Sequence, residues 1–136
     1  MDTAPLIYFI EKHPRYLSTI DPFFNALDRG LFQAVTSTLT LTEALVLPLR
    51  TGNNLLVSEY VNILTKSRNV TMLPVSEAIA AKAAQLRATA GIRTPDAVQI
   101  ATAQIGGATA LVTNDEQLAS IPGINIIVLE KLLVTP

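Results

Sequence analysis

Apolar residues along the chain fall into short blocks of two kinds. Residues 33–37, 70–75, 109–113 and 125–129 are compact runs of aliphatic and β-branched side chains, such as Ile126-Ile127-Val128-Leu129, and read as strands. Between them the apolar positions repeat at helical spacing or are framed by helix punctuation. A first helix covers residues 4–11 and stops before Pro14. Asp21 as cap and Pro22 in the first helical position open a second, which runs through Leu27 and ends at Gly30. Thr42 caps a third that starts at Glu43 and is kinked or ended by Pro48, and a fourth follows Asn53 and Asn54 along Leu55, Leu56, Tyr60, Ile63 and Leu64. Ser76 and Gly91 bracket an Ala-rich helix over residues 77–90, while Thr94-Pro95-Asp96 opens one that runs to Ile105 and stops at Gly106-Gly107. A short helix from Asn114-Asp115 to Ala119 precedes the Pro122-Gly123 turn. Unalternated strands separated by helices specify an α/β domain, a parallel sheet covered by helices on both faces, and one domain over residues 1–136.

Composition narrows the class without changing the fold. Of 136 residues 49% are hydrophobic and 15% charged, and mean hydropathy is +0.39, which excludes a disordered or low-complexity chain. No apolar run approaches the ~18 residues of a membrane span, and Asp2 stands where a secretory signal carries a basic residue, so a cytoplasmic protein without membrane contact is expected. The absence of cysteine excludes disulfides, thiolate zinc sites and a thiol nucleophile. A net charge of −1 offers no bulk attraction for nucleic acid, so a phosphate-bearing partner has to be held locally. The single histidine, His13, lies between Lys12 and Pro14 and reads as a surface residue. The tyrosines and phenylalanines read first as core.

Four acids stand apart from the solvated ones. Asp2 precedes the apolar stretch 6–10, Glu43 opens the most apolar helix, Asp96 lies in a first helical turn, and Asp115 follows the strand ending at Thr113. Each alone has the plainer reading of a helix cap or a partner of the helix dipole, and for Asp96 and Asp115 that reading is equally good. Together they occupy matching positions at strand carboxyl ends and helix N-termini, the edge at which open α/β sheets bind ligands. Converging carboxylates repel unless a cation sits among them or some are protonated, and hard oxygen donors without His or Cys select Mg²⁺ or Mn²⁺. Such an ion activates water and neutralises a phosphate, which is nuclease chemistry.

The stretches Asp2-Thr-Ala-Pro-Leu-Ile-Tyr8, Thr38-Leu-Thr-Leu-Thr-Glu43, Arg93-Thr-Pro-Asp-Ala-Val-Gln-Ile-Ala-Thr-Ala103 and Leu111-Val-Thr-Asn-Asp115 resemble, in order and spacing, the four acidic motifs of PIN-domain ribonucleases, with the VapC toxins of type II toxin–antitoxin systems the nearest group. The resemblance implies a sheet of four to five strands and a metal-dependent endoribonuclease using Mg²⁺ or Mn²⁺. Asp2, Asp96 and Asp115 take the places of metal ligands in it, Glu43 that of the group that orients or deprotonates the attacking water, and Thr113 and Asn114 stand beside the metal site. It also implies an RNA substrate, a cognate antitoxin and a homodimer. One departure stands out: in the family the first acid ends a central strand, whereas here only Met1 precedes Asp2, so the N-terminal central strand is expected to be truncated. That departure keeps open a second reading, an inactive PIN fold that binds RNA or an antitoxin without turnover.

Overall fold

A computed structural model describes residues 1–133 of the chain. All four predicted strand runs form strands: β1 (Ala34–Ser37), β2 (Val70–Leu73), β3 (Ala110–Thr113) and β4 (Asn125–Val128). The helices are α1 (Thr3–Ile10), α2 (Leu17–Asp28), α3 (Thr38–Thr51), α4 (Asn54–Lys66), α5 (Glu77–Ala90) and α6 (Thr94–Ile105), with single 3₁₀ turns at Glu116–Leu118 and Leu129–Leu132. The strands pair in parallel as two separate couples, β1 with β2 and β3 with β4.

The couples are joined by two residues. The Met1 amino group donates to the Val35 carbonyl at 2.8 Å, and the Asp2 N–H donates to the Val112 carbonyl at 3.0 Å. Met1 and Asp2 therefore run between β1 and β3, and the sequence of backbones across the molecule is β2, β1, Met1–Asp2, β3, β4. Beyond Met1 the gap between β1 and β3 is a cleft of about 490 Å³ walled by Ile20, Phe23, Phe32, Val35, Val112 and Ile127. The expected parallel α/β layering is present, and among the described residues the place of a central strand is held by this dipeptide alone.

Adjacent strand residues face opposite layers, as the pleat requires. Val112 packs with Leu6, Ile20, Phe24, Tyr60 and Leu64, from α1, α2 and α4. Its neighbour Leu111 packs with Ile79, Leu86, Ile100 and Ala101, from α5 and α6. Helices thus cover both faces. Helix α6 is buried from Asp96 through Ala103, and its alanines at 97, 101 and 103 let it approach α5 and the strands closely. The aromatic residues do core work, with Phe9 stacked on Phe24 at 4.1 Å and Tyr8 on Tyr16 at 4.6 Å; His13 packs against both tyrosines.

Several boundaries differ from expectation. Helix α3 starts at Thr38, where the Ser37 side chain caps by accepting from the Leu39 N–H, so Glu43 lies more than a turn inside the helix. The chain offers two start signals there, and the earlier one is used. Pro48 does not end the helix, which continues to a left-handed Gly52. Helix α2 begins at Leu17, four residues before Asp21, because Ile20, Phe24 and Leu27 form one buried stripe that extends it upstream. Strand β2 is a partly exposed edge rather than a buried strand. Thr94 is the first residue of α6 and Arg93 occupies the cap position without a side-chain bond.

Two stability measurements follow from this packing. Gly106 closes α6 with ordinary right-handed backbone angles, but a Cβ there would stand 2.7 Å from Val35 Cγ1 and 3.0 Å from the Thr102 carbonyl oxygen. Gly106→Ala is therefore expected to cost about 1 to 3 kcal/mol in urea unfolding, with part recovered in a Gly106→Ala/Val35→Ala double variant. Burial pushes the Met1 α-amino group down to about 6 against the opposing pull of Asp2. The unfolded amine, near 8, binds a proton that the folded one refuses. Stability is thus fully present above pH 8 and falls as pH drops from 8 to 6, by on the order of 2 to 3 kcal/mol. Acetylating the amine, which keeps an N–H for Val35, is expected to remove that difference between pH 6 and 8.

Candidate functional site

Asp2 caps α1: one carboxylate oxygen accepts from the Thr3 N–H at 2.8 Å and the other from the Thr113 hydroxyl at 2.7 Å. Thr113 is fully buried at the end of β3, and its hydroxyl also accepts from the Asp115 N–H at 3.1 Å. One threonine thus ties the first and last acids together. Asp115 in turn caps the turn Glu116–Leu118 through the Gln117 N–H at 2.9 Å, leaving its other oxygen free of protein donors among the described residues.

Asp96 sits in the first turn of α6, where the exposed amides of a helix N-terminus favour a negative charge. It is 9% exposed. Its carboxyl is nonetheless pushed above the ordinary aspartate range, first by burial, with Asp115 and Asp2 adding repulsion. The Arg93 guanidinium, 3.2 Å away through Nε, opposes the shift without overcoming it. Three carboxylates from three separate elements therefore sense one another across this edge.

Glu43 stands on the exposed side of α3, and its Oε1 accepts from the Thr3 hydroxyl at 2.7 Å. Thr3 follows Asp2, so consecutive residues address the first and second acids. Behind Thr3 lies a buried chain of polar groups that the acid pattern did not reveal: Gln99, Thr40 and Thr36, each 3% exposed or less. Gln99 Nε2 donates to Thr40 at 2.9 Å and Thr3 at 3.4 Å. The available signal was a lone amide within the run Ala97-Val98-Gln99-Ile100-Ala101 of a buried helix. Asn114 lies beside the acids in sequence, but its side chain donates to the Tyr8 hydroxyl and accepts from the Glu130 N–H, so it locks the strand-end loop to α1 and to the turn after β4. Arg15 and Tyr16 are occupied by Glu130.

The donor set consists of carboxylate oxygens with no nitrogen or sulfur ligand, which suits a hard cation. Among the described residues no three acidic or histidine side chains close into a ready-made cage. The residues fit Mg²⁺ or Mn²⁺ in the form in which these ions keep several waters and take few protein ligands. Mutual repulsion at a half-buried edge is what such a cation relieves.

Removing Arg93 isolates the balance at Asp96. In Arg93→Gln the lowering influence is lost while burial, Asp2 and Asp115 remain, so Asp96 is expected to take up its proton at a still higher pH than in the parent chain. A ¹³C carboxyl NMR titration of both proteins reads the direction; an unmoved or lower midpoint would contradict it.

Comparison with known proteins bears on this arrangement. A family model described as the PIN domain matches residues 1–124. Among solved structures, a toxin–antitoxin complex from Klebsiella pneumoniae contains a chain 22% identical, with a TM-score of 0.65 over 94% of each chain. VapBC2 from Rickettsia felis bound to a promoter DNA fragment matches at 18% identity and TM-score 0.69, covering 92% of this chain and 93% of that one. DNA-bound VapBC from Salmonella typhimurium matches at 21% and 0.66, over 94% and 95%. No curated protein matches the sequence.

Proposed function

The chain belongs to the PIN domain family, and on that premise we propose that it is a divalent-metal-dependent endoribonuclease, the toxin of a toxin–antitoxin pair. The observation that carries the reading is the Thr113 hydroxyl that holds Asp2 and the Asp115 backbone together at the end of β3, with Asp96 buried in the first turn of α6. The three fold neighbours, all from toxin–antitoxin structures, support an antitoxin as partner. No helix among the described residues is long and apolar enough to cross a membrane. A cytoplasmic homodimer acting on RNA completes the proposal.

In this reading Asp2 and Asp96 are the principal holders of Mg²⁺ or Mn²⁺, with Asp115 assisting directly or through water. The ion, when bound, supplies a Lewis acid for the scissile phosphate and a water of lowered pKa. Thr113 fixes the Asp2 carboxylate by donating to one of its oxygens and, through the Asp115 N–H, sets the spacing of the two acids. Glu43, exposed and held by Thr3 through one oxygen, keeps the other for the attacking water, which it orients and from which it takes a proton. Arg93 neutralises part of the acidic edge at rest and, being exposed, is free to turn to an incoming phosphate.

The alternative, a PIN fold that binds RNA or antitoxin without cleaving, draws on the absence of a ready-made cage among the described residues and on the short two-residue bridge that stands where a central strand would carry Asp2. Both readings meet one experiment. Mn²⁺ at about 100 times its Kd is expected to stabilise the parent chain by about 2.7 kcal/mol, visible as a rise in Tm. Asp96→Asn is expected to abolish that rise and to reduce cleavage of total RNA by at least about a hundredfold. RNA binding with no Mn²⁺-dependent cleavage in the parent would establish the non-cleaving alternative.

A further inference from the structure

We propose that Gln99 is a positioning residue for Glu43: its side-chain amide fixes the direction of the Thr3 hydroxyl proton and thereby the orientation of the Glu43 carboxylate. The inference rests on Glu43 being the group that handles the attacking water.

It follows from counting protons. Each threonine hydroxyl has one proton to give, and a carboxylate has none. The Thr3 hydroxyl lies 2.7 Å from Glu43 Oε1, 3.4 Å from Thr40 Oγ1 and 3.4 Å from Gln99 Nε2. Two acceptors do not approach to 2.7 Å without a proton between them, so the Thr3 proton belongs to Glu43. Thr3 then has nothing to give residue 99, and residue 99 has to be a donor. An amide nitrogen with two protons meets that demand at Thr3 and at Thr40 together. At its other end the chain continues through Thr40 to Thr36. Thr36 Oγ1 donates to Thr40 Oγ1 at 3.0 Å and lies 3.3 Å from the Met1 carbonyl oxygen, while Thr40 also accepts from Gln99.

On the arm that reaches Glu43 the protons thus run outward from Gln99, through the Thr3 hydroxyl to the carboxylate. Thr3, Thr36, Thr40 and Gln99 are all buried, so water does not compete for these bonds. They belong to α1, β1, α3 and α6, which no local sequence preference brings together. Packing alone would be met at position 99 by Leu or Met, since the neighbours in α6 are Val98, Ile100 and Ala101.

The isosteric variant Gln99→Glu places an acceptor where Thr3 and Thr40 need a donor, so two carboxylates compete for one Thr3 proton. Gln99→Met removes the donor without adding a competitor. In Mn²⁺-dependent RNA cleavage, Gln99→Glu is expected to lower kcat by about thirtyfold or more with KM and Mn²⁺ affinity nearly unchanged, and Gln99→Met by a smaller factor. Thr3→Val is expected to reproduce the Gln99→Glu loss, Thr3→Ser to restore activity, and Gln99→Glu/Thr3→Val to be no worse than Thr3→Val alone. Losses that add in the double variant, or that fall on KM and metal affinity, would overturn the proposal. An activity-free arm reads the network directly: Gln99→Met and Gln99→Glu, checked for folding by urea unfolding, are expected to move the Glu43 carboxyl ¹³C resonance and leave that of Asp115 in place. If the parent chain cleaves no RNA, the nuclease reading fails while this shift still decides the role of Gln99; an unmoved Glu43 resonance refutes it.

Discussion

The structure turns on the two-residue bridge between β1 and β3. Parallel strands are normally satisfied on both edges by neighbours in a covered sheet. Here β1 and β3 each have one strand partner, and the backbone link between them is the pair of bonds from the Met1 amine and the Asp2 N–H, beneath helices that pack on both couples. The same backbone that bridges the couples delivers Asp2 to the carboxyl end of β3, where Thr113 is waiting, and Thr3 to the side of α3 that carries Glu43. Fold continuity and site assembly therefore depend on the same short segment. The cost is visible in the amine, a charge-bearing group held where burial disfavours its charge.

Helix α6 is the second fixed point. Because it is enclosed along almost its whole length, its polar residues cannot be solvated and have to serve structure or chemistry. Asp96 takes the N-terminal turn, where the helix dipole offsets part of its burial. Gln99, one turn on, meets hydroxyls from two other elements, Thr3 of α1 and Thr40 of α3, and Thr102 returns its proton to the Val98 carbonyl of its own helix. The alanines between them give the close approach that makes those contacts short. Gly106 continues this logic at the helix end, where even a methyl group has no space beside Val35.

Local punctuation was the most legible part of the sequence. Ser76 and Gly91 bracket α5 as read, because each stands alone at its boundary, and of the pairs Asn53-Asn54 and Asn114-Asp115 the structure uses Asn53 to cap α4 and Asp115 to cap the turn after β3. Where two signals compete the reading slipped. Ser37 and Thr42 both offer a hydroxyl before an apolar run, and the position of Glu43 within α3 followed from the former. The Asp21-Pro22 pair imitates a helix start, yet the buried stripe of Ile20, Phe24 and Leu27 carries α2 through it. The strands were legible as runs, but their pairing into two couples depends on a gap that no local pattern encodes. The positions of Asp2, Asp96 and Asp115 at the starts of helices or turns were legible, whereas Glu43, read as opening its helix, lies inside α3. The buried hydroxyl and amide chain was not legible, because its members are spread over residues 3 to 99 and each is unremarkable in its own segment.

The electrostatics of the edge then have a single sense. Burial and two neighbouring carboxylates raise Asp96, and the one guanidinium bonded to it lies on the exposed side, where solvent weakens its pull. The acids are held in place by their own donors: the Thr3 N–H and the Thr113 hydroxyl take one oxygen each of Asp2, and the Gln117 N–H takes one oxygen of Asp115 and leaves the other. Such an edge is pre-organised in orientation and unfinished in charge. A charge deficit of this kind is what a hydrated divalent cation would relieve in the proposed nuclease, since the carboxylates already belong to fixed caps and strand ends.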